Sequence, residues 1–135
     1  MTTIAANLEI MAGDTQATNG QGIKSYCTKI HKRHGCIIGF CGSVTDGDKF
    51  VNAFPNVEGL DVDEDFEALV LSKTGLHHYE SDLHRMKIET DFFAIGSGAS
   101  SALGALYAGT GPIKAVKIAS RIDVFTGGVV RSKRL

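Results

Sequence analysis

The first residues of the chain, Met1-Thr2-Thr3, offer a nucleophile that carries its own base. An initiator Met is usually removed when a small residue comes second, and its removal here would leave Thr2 with a hydroxyl and a free α-amine. A free α-amine has a reference pKa of about 7.7–8.0, so near neutral pH part of it is unprotonated and can accept the hydroxyl proton. Threonine is a common second residue, however. The catalytic hypothesis therefore depends on activating groups elsewhere in the chain.

Other chemistry-bearing residues suggest two rival sites. A zinc site would draw on four residues with ligand side chains, Cys27, His31, His34 and Cys36. Their spacing matches no standard zinc ribbon or finger, and Lys29 lies among them. A nucleotide loop would use Gly96-x-Gly98-x-x-Ser101, but the third glycine and a βαβ context are missing. We therefore predict neither a metal nor a cofactor.

Composition limits the class of protein. The chain has 135 residues, enough for a single domain over 1–135 with its own core. Its 14 basic and 15 acidic residues nearly balance, so no nucleic-acid or anionic-membrane partner is expected. Three cysteines make an odd count, and the start of the chain lacks a signal-peptide pattern. We expect a reduced, cytoplasmic setting.

Strands dominate the first two thirds of the predicted fold. Short apolar runs predict strands over 3–6 and 8–12, which form a hairpin ending at Gly13-Asp14, and over 36–41, 66–72, 76–83 and 92–95. His77 and His78 are expected on a half-exposed strand, because neighbouring side chains of a strand point to opposite faces. One helix is predicted over 45–54, before Pro55, followed by a solvated acidic loop to residue 65.

Helices follow in the last third. The pattern predicts helices over 99–108 and 112–121, then a closing strand or hairpin over 124–130. Strands and helices thus come in separate blocks. Segregation of this kind favours an α+β fold over an alternating βαβ fold.

Six ordered motifs resemble those of proteasome β subunits, and the first half of the chain is most similar to the bacterial HslV peptidase. The motifs are Thr2-Thr3-Ile4, Ala12-Gly13-Asp14-x-Gln16-Ala17-Thr18, Lys29-Ile30, Gly39-Phe40-Cys41-Gly42, Ala94-Ile95-Gly96-Ser97-Gly98 and Asp123-x-x-Thr126-Gly127-Gly128. The resemblance covers nearly the whole chain. It implies an N-terminal-nucleophile hydrolase: a four-layer αββα sandwich that acts as a threonine peptidase in a ring-shaped oligomer.

The resemblance assigns a role to each matching residue. Thr2 would be the nucleophile, Lys29 the catalytic lysine, and Asp14 the aspartate that pairs with this lysine. An ammonium beside the Thr2 hydroxyl would ease its deprotonation, and Asp14 would offset part of the cost of burying the charge.

Further matching positions surround the N-terminus of the nucleophile. Ser97 matches the serine beside it, and Asp123 with Thr126 matches an Asp-x-x-Ser pair that orients the α-amine. Gly42 and Ser43 match the family's Gly-Gly position, where a backbone N–H faces the developing oxyanion. Ser43 retains this N–H but narrows the allowed backbone angles.

One departure from the family concerns its helices. The family has two long helices after its Gly-Gly motif, whereas residues 44–65 leave room for one short helix and a loop. We expect a reduced helical layer after the first sheet strands.

The resemblance predicts a self-compartmentalised threonine endopeptidase. It implies protein or peptide substrates, a homo-oligomeric ring or double ring, and an unfolding ATPase as partner. The alternative is a catalytically inactive ring subunit that serves as scaffold or adaptor, a role of family members that lack the nucleophile. Joint retention of all six matching site residues (Thr2, Asp14, Lys29, Ser97, Asp123 and Thr126) argues against the alternative.

Overall fold

The computed structural model describes residues 2–135 as eleven strands and three helices. The strands are β1 (Thr3–Asn7), β2 (Ile10–Gly13), β3 (Gln16–Thr18), β4 (Lys24–Tyr26), β5 (Ile30–Arg33), β6 (Cys36–Cys41), β7 (Glu67–Ser72), β8 (Gly75–Tyr79), β9 (Met86–Ile88), β10 (Phe92–Gly96) and β11 (Arg131–Arg134). The helices are α1 (Val44–Ala53), α2 (Ala99–Tyr107) and α3 (Pro112–Ser120). None of the described helices is long and apolar enough to cross a membrane.

Two antiparallel sheets face each other across an apolar core. One has the order β10-β1-β2-β11 and the other the order β5-β6-β7-β8-β9. Side chains from both sheets, including Ile4, Met11 and Leu69, are fully buried between them. Helices α2 and α3 pack on the four-stranded sheet, and α1 packs on the five-stranded sheet. The predicted α+β class and αββα sandwich are confirmed.

The outer face of the five-stranded sheet is covered by a thin layer. Among the described residues, α1 supplies the helix on this face. This agrees with the single short helix that the 44–65 segment predicts. Phe50 of α1 is fully buried, and its ring centroid lies 5.5 Å from that of Phe66 and 5.0 Å from that of Tyr79. One short helix therefore seals this part of the core through a compact aromatic cluster.

A glycine lets α1 lie close to the sheet. Gly47 is buried within the helix, and a Cβ added there would overlap the ring of Phe40 on β6. Alanine is ordinarily the better helix former by about 1 kcal/mol. Here the close approach of helix and sheet outweighs that preference.

Gly47→Ala is expected to destabilise the protein by about 1–2 kcal/mol, because the cost of overpacking exceeds the gain in helix propensity. Gly104→Ala in α2 is the matched control, since no atom outside the helix backbone lies within 4 Å of a Cβ there. That variant should be stabilised by up to about 1 kcal/mol. Chemical denaturation measures both; equal stabilisation by the two alanines would contradict the packing argument.

The end of the chain differs from its prediction. Residues 124–130 form a loop, and the closing strand is β11, which pairs with β2. Val124 and Val129 favour a strand locally, yet both side chains are exposed. The loop instead hydrogen-bonds to other segments: the Gly127 carbonyl accepts from the Thr15 and Gln16 amides. Tertiary hydrogen bonds therefore override the local β-propensity.

The histidine pair also differs from its prediction. His77 and His78 lie on β8 and point to opposite faces, but both are buried. His78 lies on the same face as the inner core, where its ring packs against Phe93 of the opposite sheet. The expected half-exposed strand is wrong because both faces of this sheet are covered at that point.

Candidate active site

The β1–β10 pair holds Thr2 in place. Thr3 is paired with Gly96, and the Gly98 amide donates a hydrogen bond of 3.4 Å to the Thr2 carbonyl. A Cβ at Gly96 would overlap that carbonyl, and Gly96 has a φ of +99°, which favours glycine. Strand pairing therefore positions the backbone of Thr2. The residue is 2% exposed.

Lys29 joins Thr2 to Asp14 inside the protein. It immediately precedes β5 and is 4% exposed. Its Nζ donates to Thr2 Oγ1 over 2.8 Å, to Asp14 Oδ1 over 2.9 Å and to the Gln16 carbonyl over 2.5 Å. All three ammonium donors thus have acceptors. The ammonium faces the oxygen of the predicted nucleophile.

Asp14 follows β2 and is fully enclosed. Besides Lys29, its Oδ1 accepts from the Thr3 amide over 3.1 Å and its Oδ2 accepts from the Gly127 amide over 3.0 Å. Burying a charge is costly unless it is paired and hydrogen-bonded, and both conditions hold here. Asp14 therefore fixes the lysine and also ties β1 to the 124–130 loop.

A second network lies beside the main-chain nitrogen of Thr2. This atom is the peptide nitrogen that follows Met1, and it would become the α-amine after Met1 removal. It donates to Ser97 Oγ over 3.1 Å. Asp123 Oδ2 accepts from Ser97 Oγ over 2.5 Å and from Thr126 Oγ1 over 2.6 Å. The nitrogen therefore already faces the group of polar side chains that would hold an amine.

The charge state of Asp123 controls this second network. Burial alone would raise the pKa of Asp123, but hydrogen bonds from Ser97, Thr126 and the Phe125 amide bring it below its ordinary value. A lowered folded-state pKa means that the ionised carboxylate stabilises the fold. That contribution is present above the unfolded pKa and is lost as the pH falls through the lower folded pKa.

Comparison with Asp123→Asn should isolate this effect. The free energy of unfolding of the unmodified protein, minus that of the variant, is expected to decrease between about pH 5 and pH 2. Denaturant titrations at a series of pH values measure the difference, and the other carboxyl groups cancel because both proteins contain them. A difference that does not change over this range would contradict the assigned role of Asp123.

A cleft of about 180 Å³ opens at Thr2, and Gly42 and Ser43 line it together with Lys29. Gly42 has a φ of +104°, and a Cβ there would press against the backbone of Phe66. Ser43 caps α1, with its Oγ accepting from the Asp46 amide over 3.1 Å. Ser43 therefore lines the cleft while its side chain is engaged by its own helix.

Three contributors had no role in the sequence analysis. The Gln16 carbonyl accepts from Lys29, the Gly127 amide donates to Asp14, and Thr3 Oγ1 lies 2.8 Å from Thr126 Oγ1. Two of them contribute main-chain atoms, so side-chain type gives no signal for them. Thr3 begins β1 directly after Thr2, and its buried hydroxyl acquires a partner only when the loop that contains Thr126 folds over it.

The structure does not bring together the four residues of the alternative zinc site. Among residues 2–135, metal-binding side chains converge at Glu67, His78 and Glu80, not at the cysteine and histidine residues between 27 and 36. A hydrogen bond from His78 lowers the pKa of Glu67 against the opposing effect of its burial. Burial strongly raises the pKa of the neighbouring Cys41 thiol. The cluster is therefore a distinct polar feature of the inner core.

No protein-family model matches the sequence, and neither does any curated protein. Solved structures do match. Eukaryotic HslV from Trypanosoma brucei is 25% identical, with a TM-score of 0.76 and coverage of 98% of both chains. The chain has the HslV/proteasome-type fold. Thiobacillus denitrificans BPH also matches, with 20% identity, a TM-score of 0.79 and coverage of 99% of this chain and 96% of that one.

A second structure of the Thiobacillus protein contains epoxomicin. It is 20% identical to this chain, with a TM-score of 0.74 and coverage of 99% and 97% of the two chains. These matches confirm the HslV and proteasome resemblance that the six sequence motifs carry. They extend over almost the full length of this chain.

Proposed function

We propose that this protein is a threonine endopeptidase in which Thr2, exposed by removal of Met1, is the nucleophile. The observation that carries the proposal is the buried row Asp14–Lys29–Thr2, with Lys29 Nζ 2.9 Å from Asp14 Oδ1 and 2.8 Å from Thr2 Oγ1. A fold alone does not require a lysine ammonium at a buried threonine hydroxyl. Activation of that hydroxyl explains the arrangement.

In the proposed acylation step, Thr2 Oγ1 attacks the scissile carbonyl carbon while its proton passes to the α-amine. The Lys29 ammonium stabilises the negative charge that develops on Oγ1. The Ser43 N–H is the proposed donor to the carbonyl oxygen as it becomes an oxyanion. Collapse of the tetrahedral intermediate breaks the peptide C–N bond, and the α-ammonium returns its proton to the leaving nitrogen. Thr2 then carries an ester.

Deacylation uses the same groups in reverse. A water molecule attacks the ester carbonyl, its proton passes to the α-amine, and the C–O bond to Thr2 breaks as Oγ1 regains a proton. Ser97 and the Asp123–Thr126 pair would hold the amine in position through both steps. The distances that support these roles are those from Lys29 Nζ to Thr2 Oγ1 and from the Thr2 nitrogen to Ser97 Oγ.

We also propose the ring or double-ring assembly, with protein or peptide substrates and an unfolding ATPase as partner. Exposed apolar side chains on and beside the 124–130 loop, Ile122, Val124, Phe125 and Val129, support a subunit contact near the site. Their exposure in a single chain is unusual unless another subunit covers them. Such an assembly would place Thr2 within an enclosed chamber.

Replacement of Thr2 tests the proposed chemistry. Thr2→Ala should abolish hydrolysis of peptide and unfolded-protein substrates, whereas Thr2→Ser should retain measurable turnover because it keeps the hydroxyl. Both variants should have the same oligomeric state as the unmodified protein by light scattering. Equal turnover in the alanine variant would contradict the proposal, and no turnover in the unmodified, Met-free protein would favour the scaffold alternative.

A further inference from the structure

Two carboxylates lie close together where β7 begins and β8 ends. The β7–β8 register ends at the Ala68–Tyr79 pair, and Glu67 directly precedes Ala68 while Glu80 directly follows Tyr79. Glu67 lies on the same face of β7 as Leu69, because side chains alternate along a strand, and a carboxylate oxygen of Glu80 lies close to ligand atoms of Glu67 and His78. Like charges directly opposite one another destabilise a sheet. A cation between the two carboxylates would remove this repulsion.

His78 supplies a ligand atom at the same place. The residue is 5% exposed, and its Nε2 lies 2.8 Å from Glu67 Oε2. Its other ring nitrogen, Nδ1, is buried without a hydrogen-bond partner in the described part of the chain. Buried polar atoms usually have a hydrogen-bond partner, so the hydrogen bonding of this histidine is incomplete. Nε2 is thus the nitrogen that an ion shared with the carboxylates would bind, whereas the unpartnered Nδ1 lies on the other side of the ring.

The three side chains are close enough to bind one ion. One ligand atom from each of Glu67, His78 and Glu80 lies within 4.8 Å of the other two. Ligands at about 2.0–2.2 Å from a tetrahedral zinc ion lie about 3.3–3.6 Å apart. Glu80 is exposed and can move the short remaining distance, while Glu67 and His78 are held by the core.

We propose that Glu67, His78 and Glu80 form a binding site for a divalent cation of the zinc class, with water in the fourth position. One imidazole and two carboxylates suit such an ion, and its charge removes the repulsion between Glu67 and Glu80. The ion would join the start of β7 to the end of β8 within the five-stranded sheet. This inference is independent of the peptidase proposal.

Titration of the tag-free, full-length protein with Zn²⁺ after chelator treatment tests the site. We expect one equivalent to bind by calorimetry and to raise Tm. Glu80→Gln should weaken binding at least about tenfold, since even partners outside the ligand shell are worth 10–100-fold in affinity. Glu80 is exposed, so this variant should fold normally. His84→Asn, which alters an exposed histidine nearby, is the matched control and should bind as the unmodified protein does.

Binding of Co²⁺ distinguishes this site from one that uses the cysteines. Ligation by nitrogen and oxygen gives d–d absorption without a thiolate charge-transfer band. The proposal is overturned if no ion binds, if Glu80→Gln binds with unchanged affinity, or if the Co²⁺ complex shows the thiolate band. Loss of peptidase activity in Thr2→Ala has no bearing on any of these outcomes.

Discussion

Lys29→Ala is expected to lower kcat/KM for peptide hydrolysis by at least about 100-fold while the chain remains folded. Its ammonium is 2.8 Å from Thr2 Oγ1, the atom on which negative charge would develop during attack. Removing one preorganised electrostatic group from an active site costs about 10²–10³ in rate. Steady-state hydrolysis of a fluorogenic peptide measures the loss, with near-ultraviolet circular dichroism and light scattering as checks of fold and assembly.

Lys32→Ala is the matched control for the lysine variant. Lys32 lies on β5, the strand that Lys29 immediately precedes, but its side chain is exposed. It should therefore lose charge without losing activity. The role of Lys29 would be contradicted if Lys29→Ala kept turnover within about threefold of the unmodified protein while Lys32→Ala was also active.

Asp14→Ala should produce the largest loss of stability, about 3–5 kcal/mol in the free energy of unfolding. The substitution leaves the Lys29 ammonium buried and without its counter-ion, and it strands the Thr3 and Gly127 amides that donate to the carboxylate. Urea denaturation at neutral pH measures the change. Activity should fall too, because the lysine is no longer held at Thr2.

Two further variants separate a lost ion pair from a general loss of charge. Asp48→Ala removes an exposed carboxylate and should change stability by less than about 0.5 kcal/mol. The double variant Asp14→Ala with Lys29→Ala should be less destabilised than the sum of the two single variants, because it leaves no unpaired buried charge. Strict additivity would show that the two residues act independently and would contradict the buried-pair account.

Several strands could be predicted because their apolar patterns depend on local sequence. Cys36–Cys41 is continuously apolar and forms a strand buried from Ile37 onward, as expected for a strand covered on both faces. The position of α1 also follows from local signals, since Ser43 caps its first turn and Pro55 comes just after its end. Elements of this kind need no knowledge of distant contacts.

Other parts depend on contacts between distant segments. The β11 strand contains only charged and polar side chains, all exposed, so no hydrophobic pattern marks it. It forms because its backbone extends the sheet beside β2. The 124–130 loop is held by bonds to residues more than 100 positions away. Such partners become visible only when the chain is folded.

The residues of the candidate site could be predicted only in part. Asp14, Lys29, Ser97, Asp123 and Thr126 were singled out through their motifs, and the structure brings each of them within a hydrogen-bond network that reaches Thr2 or Thr3. Composition and periodicity alone assign no role to any of them. Their catalytic roles remain predictions, which rest on geometry and on the family resemblance together.

The most direct test of the central claim is the mass and position of a covalent adduct at the N-terminus. The purified protein should first be weighed intact, where loss of Met1 is expected, and then treated with epoxomicin, the compound present in one Thiobacillus BPH structure. We predict a single adduct that peptide mapping places on Thr2 and that Thr2→Ala does not form. A retained Met1, no adduct on the Met-free chain, or an adduct that persists in Thr2→Ala would contradict Thr2 as the nucleophile.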